Sequence, residues 1–300
     1  MAYQELYKSG KLQEIALKLK ERLKACDLCP RNCLVNRAND ELGFCGAGKL
    51  ARVSSAFLHF GEEPEIVGKG GSGTIFFSFC NLGCIYCQNY SISNIGEGHD
   101  ISAEMLADNM LKLKSQGAEN INFVTPTHYI AQIIESLVIA VEKGLNIPLV
   151  YNCGGYEKAE VLKLVEGVFD IFMPDIKYSD REVSEKYSQA GDYWEVVKGS
   201  VKEMHRQVGD LEIDSGVVKK GLLIRHLVLP QKQAGSFKVL DFIKEEISAD
   251  TYVNIMKQYF PCFRADEYDE LKRRITFNEY DEVVKYASKL GLTRYSHDEF

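Results

Sequence analysis

Nine cysteines are spread along the 300-residue chain, and seven of them fall in two tight groups. Cys26, Cys29, Cys33 and Cys45 form C-x2-C-x3-C-x11-C in CDLCPRNC and GFCG; Cys80, Cys84 and Cys87 form C-x3-C-x2-C in CNLGCIYC. An odd total clustered in this way argues against a disulfide framework and for metal or cluster ligation. Three thiolates this close can wrap one face of a cubane iron–sulfur cluster if a tight loop turns the sulfurs inward, and Gly83 gives the backbone that freedom. Clusters that only carry electrons take four cysteines, so three leave one iron without a protein ligand. A coordination position kept open is what a catalytic metal site reserves for its substrate. The competing reading, a structural zinc site, needs a fourth ligand from His99 or a distant cysteine.

The four upstream thiols also suit a metal. Zinc sites often use paired C-x2-C arms, and the Cys29-Pro30 and Cys45-Gly46 steps have that character. Three close cysteines plus one distant also suit a second iron–sulfur cluster, toward which the spacing leans; its role is structural or electron-carrying. Cys153 and Cys262 read as small buried hydrophobes. The sharper alternative has one of them facing the reacting centre from a strand end.

The elements that position these residues follow from hydrophobic periodicity. GTIFFSF (residues 73–79) is a continuous apolar run suited to a strand buried on both faces. NINFVTP, IPLVYNC, DIFMPDIK, GLLIRHLVLP and TYVNIMKQYF repeat the theme. Helical segments lie between them: Ser102 caps one carrying Leu106, Met110 and Leu113, and Ile130, Ile134, Leu137 and Val141 share a face of the next. A third starts near Tyr156, a long one spans about 180–208, and another follows Gly235. A last helix has Asn278 as its cap and Tyr280, Val283, Val284 and Ala287 inward. Six β-α units predict an α/β fold, a partial parallel barrel of about six units with right-handed crossovers. Leu12, Ala16, Leu19 and Leu23 fall on one face of an amphipathic N-terminal helix. The Gly-rich GKGGSG divides the chain into an N-terminal cysteine-rich helical module, 1–68, and the barrel with its C-terminal helix, 69–300.

Composition bounds the function. Apolar residues make up 45% and charged residues 26%, an ordinary globular profile. A net charge of −7 without long basic runs disfavours a nucleic-acid binder. No stretch reaches the roughly 18 apolar residues of a membrane span, and no signal-peptide core opens the chain. The expected location is the cytoplasm, where thiols stay reduced.

The three-cysteine loop resembles the signature of the radical S-adenosylmethionine (SAM) superfamily, C-x3-C-x-aromatic-C, with Tyr86 as the aromatic. The chain is most similar to the group related to pyruvate formate-lyase activating enzyme, through GSGTIFFSFCNLGCIYCQNYSIS, FVTPTHY, VYNCGGYE, MPDIKYSD and RHLVLP. The resemblance covers about residues 26–260. It implies a [4Fe-4S] cluster on Cys80, Cys84 and Cys87 whose open iron chelates SAM. One electron then breaks the sulfonium bond, and a 5′-deoxyadenosyl radical abstracts hydrogen from substrate. It also implies a one-electron donor such as a flavodoxin or ferredoxin. SAM ligands are expected at the carboxyl ends of the strands: Thr125, Thr127, Asn152, Asp175, Lys177 and Arg225, with Arg225 on the SAM carboxylate. His226, Gln258 and Tyr259 meet the same positional test. Glu62 and Glu63 read as a solvated turn, and His59 as packed under the N-terminal module. The chain departs from the family in lacking Gly-Gly-Glu after the second strand, where TPTHY stands. It also lacks the cluster domain that activases insert after the first strand. A protein or peptide substrate is the first expectation. A small molecule is the runner-up, and a non-catalytic iron–sulfur carrier or scaffold is the reading from another class.

Overall fold

The computed structural model of the protein describes residues 1–297. Ten strands form one mixed sheet: β1 (Ala51–His59), β2 (Ser72–Phe77), β3 (His99–Ile101), β4 (Asn120–Val124), β5 (Leu149–Cys153), β6 (Ile171–Pro174), β7 (Glu212–Asp214), β8 (Val217–Leu227), β9 (Tyr252–Met256) and β10 (Tyr295–His297). Their order is β10-β9-β8-β6-β5-β4-β2-β1-β3, with β7 on β8. The six apolar runs read from the sequence are β2, β4, β5, β6, β8 and β9. All five pairings among them are parallel. β10 adds a parallel strand to β9, while β1 and β3 are antiparallel additions beyond β2. This is the α/β arrangement of a partial barrel.

The helices are α1 (Ala2–Lys8), α2 (Lys11–Glu21), α3 (Pro64–Val67), α4 (Tyr90–Ser93), α5 (Ala103–Ser115), α6 (Ile130–Glu142), α7 (Ala159–Leu164), α8 (Arg181–Ser188), α9 (Tyr193–Val208), α10 (Ser236–Phe242) and α11 (Phe277–Lys289). Ser102 caps α5 as expected, its hydroxyl accepting from the Met105 amide at 3.3 Å. Three local expectations are replaced. Gly10 adopts φ 78°, so the N-terminal helix is two helices rather than one. The long helix over 180–208 breaks at Gln189, which takes φ 49° and ends α8. The last helix is capped by Thr276, not Asn278: Thr276 and Glu279 close a reciprocal capping box, and Asn278 lies inside the first turn. Among the described residues, no helix is long and apolar enough to cross a membrane.

Residue 68 marks no break in the architecture. β1 lies before it and pairs with β2 from Val53 to His59. Leu12 and Leu19 of α2 are fully buried in the same hydrophobic cluster as Phe123 and Ile134. The turn after α3 is held by close backbone approach: a Cβ on Gly70 would stand 2.0 Å from the Gly117 carbonyl oxygen. Ile66 of α3 is fully buried in a second cluster with Val150, Ile171, Met173, Leu223 and Tyr252. The segment before β2 therefore plugs the amino end of the barrel.

On the outer face of β5, Tyr151 and Cys153 meet Glu157. Thr127 Oγ1 donates to Glu157 Oε1 at 2.6 Å, and the Tyr151 hydroxyl donates to Oε2 at 2.8 Å. Burial raises the Glu157 carboxyl to about 7 despite these bonds. The native state then holds a proton that the unfolded chain releases near the reference value of 4.5. Stability should fall as pH rises from about 4.5 to about 7. Urea titrations of Glu157→Gln are expected to show this loss reduced; an unchanged pH profile would mean that Glu157 does not titrate in that window.

Candidate functional site

β2 runs into the cysteine loop through a sharp turn: Phe79 takes φ 69° and Gly83 φ 61°. Each of the three sulfurs accepts a hydrogen bond. The Leu82 amide donates to Cys80 Sγ at 3.4 Å, the Ser188 hydroxyl to Cys84 Sγ at 3.0 Å, and the Ser93 hydroxyl to Cys87 Sγ at 3.0 Å. Burial, then the neighbouring Cys84, pushes the Cys80 thiol up to about 12 and also raises Cys87. Three buried sulfurs that repel one another as anions yet face donors fit a cationic iron–sulfur core, which stabilises the thiolates and leaves them as acceptors. Tyr86 stands edge-on to Tyr178, Tyr187 and Tyr259, which fixes the loop from behind.

The second cysteine group lies against the first. Cys26, Cys29, Cys33 and Cys45 line one cavity together with Arg37 and His128. Arg37 is 1% exposed. It donates to the His128 carbonyl at 2.6 Å, the Gly48 carbonyl at 3.0 Å and Cys26 Sγ at 3.7 Å. No carboxylate pairs with it among the described residues. A buried guanidinium without a carboxylate fits an anionic four-thiolate centre. Burial raises the Cys29 thiol to about 12, and Cys45 is raised as well. The contacts between the groups are direct. Arg31 Nε donates to the Asn81 carbonyl at 2.9 Å, and a Cβ on Gly46 would touch the Phe79 ring at 3.2 Å. His128 Nε2 lies 2.9 Å from the Ser78 carbonyl oxygen. The sulfurs do not close on a point: among the described residues, no three Cys, His, Asp or Glu side chains are arranged around a single ion.

Strand alternation puts Asn152, Asp175 and Arg225 on the inner face of the barrel, where Asn122, Asn254, Ser72 and Thr74 also lie. Lys177 Nζ sits 2.5 Å from Asp175 Oδ2 at the mouth. Burial alone would lower the Lys177 ammonium, but Asp175, Cys84 and Tyr86 together hold its pKa well above the usual value. Thr125, in a left-handed turn with φ 59°, ends β4, and its amide donates to the Asn152 carbonyl at 2.8 Å. These four positions, Thr125, Asn152, Asp175 and Lys177, are brought to the side of the barrel that carries the cysteine loop. Thr127 is not: its hydroxyl is held by Glu157 on the outer face. His226 is fully buried, bonded to the Ile176 carbonyl and the Ser236 hydroxyl, and burial lowers it to about 4. Gln258 is exposed, and the Tyr259 hydroxyl donates to the Leu271 carbonyl at 2.7 Å.

Arg225 is already engaged. Its Nε donates to Glu63 Oε1 at 2.8 Å, and its Nη2 to Glu63 Oε2 at 2.5 Å and to Glu62 Oε2. Glu62 and Glu63 are therefore not a solvated turn: their side chains are 8% and 2% exposed inside the barrel. His59 likewise stacks edge-on against Phe57 and Phe76, on the inner face rather than under the N-terminal residues. Charge alone hid this, because GEEPE looks like a loop; the apolar Ile66 beside it was the available signal. Cys153 lies on the outer face beside Glu157. Cys262 instead approaches the cysteine loop, its thiol donating to the Tyr86 carbonyl at 3.2 Å.

The sequence profile of the radical SAM superfamily matches residues 74–221. An uncharacterized protein of Methanocaldococcus jannaschii, MJ0674, is 33% identical over 282 residues, covering 91% of this chain and 77% of its own length. A radical SAM methyltransferase from Sphaerobacter thermophilus shares the fold at TM-score 0.51 and 9% identity, over 75% of this chain and 66% of that one. Methylornithine synthase shares it at TM-score 0.50 and 13% identity, over 98% of this chain and 77% of that one. With a matching profile over the cysteine loop and its barrel, and a relative aligned along nearly the whole length, the chain belongs to the radical SAM superfamily.

Proposed function

We propose that this protein reductively cleaves S-adenosylmethionine at a [4Fe-4S] cluster held by Cys80, Cys84 and Cys87, and uses the product radical to abstract hydrogen from a protein or peptide. The observation that carries the reading is the set of three hydrogen-bonded sulfurs on one short loop beside a polar barrel mouth. The cluster supplies the electron and one open coordination position. The chain's own residues do the rest. Ser93, Ser188 and the Leu82 amide lower the charge density on the sulfurs. Lys177 offers a cationic donor and Asp175 an acceptor where the methionine end of SAM would lie. Thr125 and Asn152 bring further polar groups. Arg225 serves by holding Glu62 and Glu63, with its guanidinium committed to them in place of a SAM carboxylate. A macromolecular substrate is favoured by the open side of the sheet, where the edge of β1 opposite β2 is covered by β3 only over Ala51–Val53 among the described residues.

Addition of dithionite and SAM to anaerobically prepared protein should yield 5′-deoxyadenosine. Lys177→Met should lower that yield while iron content stays the same. Full activity in this variant would remove Lys177 from the site, and no 5′-deoxyadenosine from the parent protein would reject the activity itself.

The four upstream thiols are proposed to hold a second iron–sulfur cluster. A tetrahedral zinc at ~2.3 Å from each sulfur draws the sulfurs to about 3.8 Å from one another, whereas a polynuclear core holds them farther apart. The spacing of Cys26, Cys29, Cys33 and Cys45, three close cysteines and one distant, around a shared cavity supports the cluster. Iron, sulfide and zinc analysis of anaerobic protein should give about eight irons per chain for two four-iron clusters. About four irons with one zinc would replace the second cluster by a structural zinc.

A further inference from the structure

Among the described residues, the barrel interior holds one more carboxylate than the guanidinium and ammonium groups beside it can balance. Two carboxylates, Glu62 and Glu63, meet one guanidinium, Arg225. The neighbouring Asp175 is already paired with Lys177. Glu63 is saturated: it takes both arms of Arg225, and Asn254 Nδ2 donates to its Oε1 at 2.6 Å. Glu62 is not. Its Oε2 accepts from Arg225, while its Oε1 points away and accepts one hydrogen bond, from Asn122 Nδ2 at 3.2 Å, with His59 Nδ1 at 3.5 Å. The His59 separation is too long for a hydrogen bond, and His59 Nδ1 has no partner.

A second observation, independent of the charge, points the same way. Asn122 is fully buried, and its Oδ1 has no hydrogen-bond partner. Its amide nitrogen faces Glu62, so the unpartnered oxygen belongs to the same corner. Leaving a buried acceptor unsatisfied is costly, and a donor entering this corner would relieve it. Both groups therefore call for hydrogen-bond donors, and one calls for positive charge.

The third side is aromatic. Phe57 of β1 and Phe76 of β2 stack with centroids 5.6 Å apart, and His59 meets Phe76 edge-on at 5.9 Å. Phe57 is 43% exposed, so this wall reaches solvent at the open side of the sheet. Ring faces next to a carboxylate suit an organic cation with a polarisable, weakly hydrated charge better than a bare metal ion.

We propose that Glu62 Oε1, Asn122 Oδ1 and the Phe57–Phe76 wall form the substrate subsite for a positively charged nitrogen group, a guanidinium or an alkylammonium, entering from the open side of the barrel. The proposal rests on the radical SAM reading and names the substrate class for that site. It explains why Arg225 is tied to two glutamates: it fixes the carboxylate pair so that one oxygen is left presented to the substrate.

The test titrates the anaerobic, SAM-loaded holoprotein with n-butylguanidinium, with its neutral counterpart n-butylurea, and with sodium and magnesium chloride at matched ionic strength, read by ligand-detected NMR. In the same sample 5′-deoxyadenosine is measured, so that failure of SAM cleavage is seen separately from failure to bind the cation. Butylguanidinium is expected to bind saturably, and butylurea about tenfold more weakly. Glu62→Gln, checked for unchanged melting temperature and iron content, should erase that preference. Phe57→Ala, at an exposed position, should weaken the cation about tenfold and serves if the first variant does not fold. A capped pentapeptide with one central arginine among glycines distinguishes the sources: tighter binding than butylguanidinium assigns the charge to a peptide side chain, weaker binding to a small molecule. Equal binding of the urea, displacement by sodium or magnesium, retained preference in Glu62→Gln or no saturation overturns the proposal.

Discussion

The site depends on one constraint: three thiols are held on one short loop although as anions they would repel each other. Everything that surrounds Cys80, Cys84 and Cys87 acts on that conflict. The left-handed turn at Phe79 ends the strand and starts the loop in one step. Such a conformation is costly for a residue with a side chain, and it persists because the ring is packed against Gly46. The hydroxyls of Ser93 and Ser188 come from different helices, so the loop is secured to α4 and to α8 through the sulfurs themselves. Helices otherwise remote in sequence thus read the state of the centre through single hydrogen bonds.

The same constraint explains why the upstream cysteines belong to the barrel rather than to an appended module. Arg31 reaches the Asn81 carbonyl and the Ser188 carbonyl at 2.8 Å, both beside the catalytic loop. Its guanidinium also lies over the Phe44 ring at 3.7 Å, next to Cys45. Arg37 ties Cys26 to His128, and His128 contacts the residue two before Cys80. Two sulfur-rich sites joined by these short paths stabilise each other's geometry: a shift of Phe44 or Gly46 moves the turn that presents Cys80. A change among the upstream cysteines would then disturb the loop by packing alone.

Much of this was legible in the sequence because it is local. The spacing of Cys80, Cys84 and Cys87, the Ser102 cap and the six apolar runs all arise from interactions within a few residues. The partial barrel follows from repeating such units. What failed was non-local or degenerate. Gln189 carries no turn signature, and the Gly191-Asp192 pair that follows it was the local signal for the break between α8 and α9. Thr276 and Asn278 are both acceptable caps by residue type, and only Glu279, three residues after Thr276, separates them. Glu62 and Glu63 look solvated because nothing near them in sequence is basic; their partner, Arg225, lies 162 residues away along the chain from Glu63. A residue's charge is visible in sequence, but the counter-charge that decides its burial is not.

That last point bears on how the barrel interior is used. A sheet folded around an apolar core would place Val, Ile and Leu along its inner face, as Val150, Ile171 and Leu223 do near the α3 plug. One layer further toward the mouth the same strands carry Asn152, Arg225 and Asn254. The polarity changes within two residues on β5 and β8, the spacing of one inward-facing layer, while on β6 Met173 stays apolar and the change comes at Asp175. The boundary between structural filling and working volume is therefore drawn by side-chain chemistry. Ile66 seals it from below, and Glu62 and Glu63, only four and three residues earlier, line it from the side. A short helix that completes the core thus also delivers the charges that select what enters, and the two tasks cannot be altered independently.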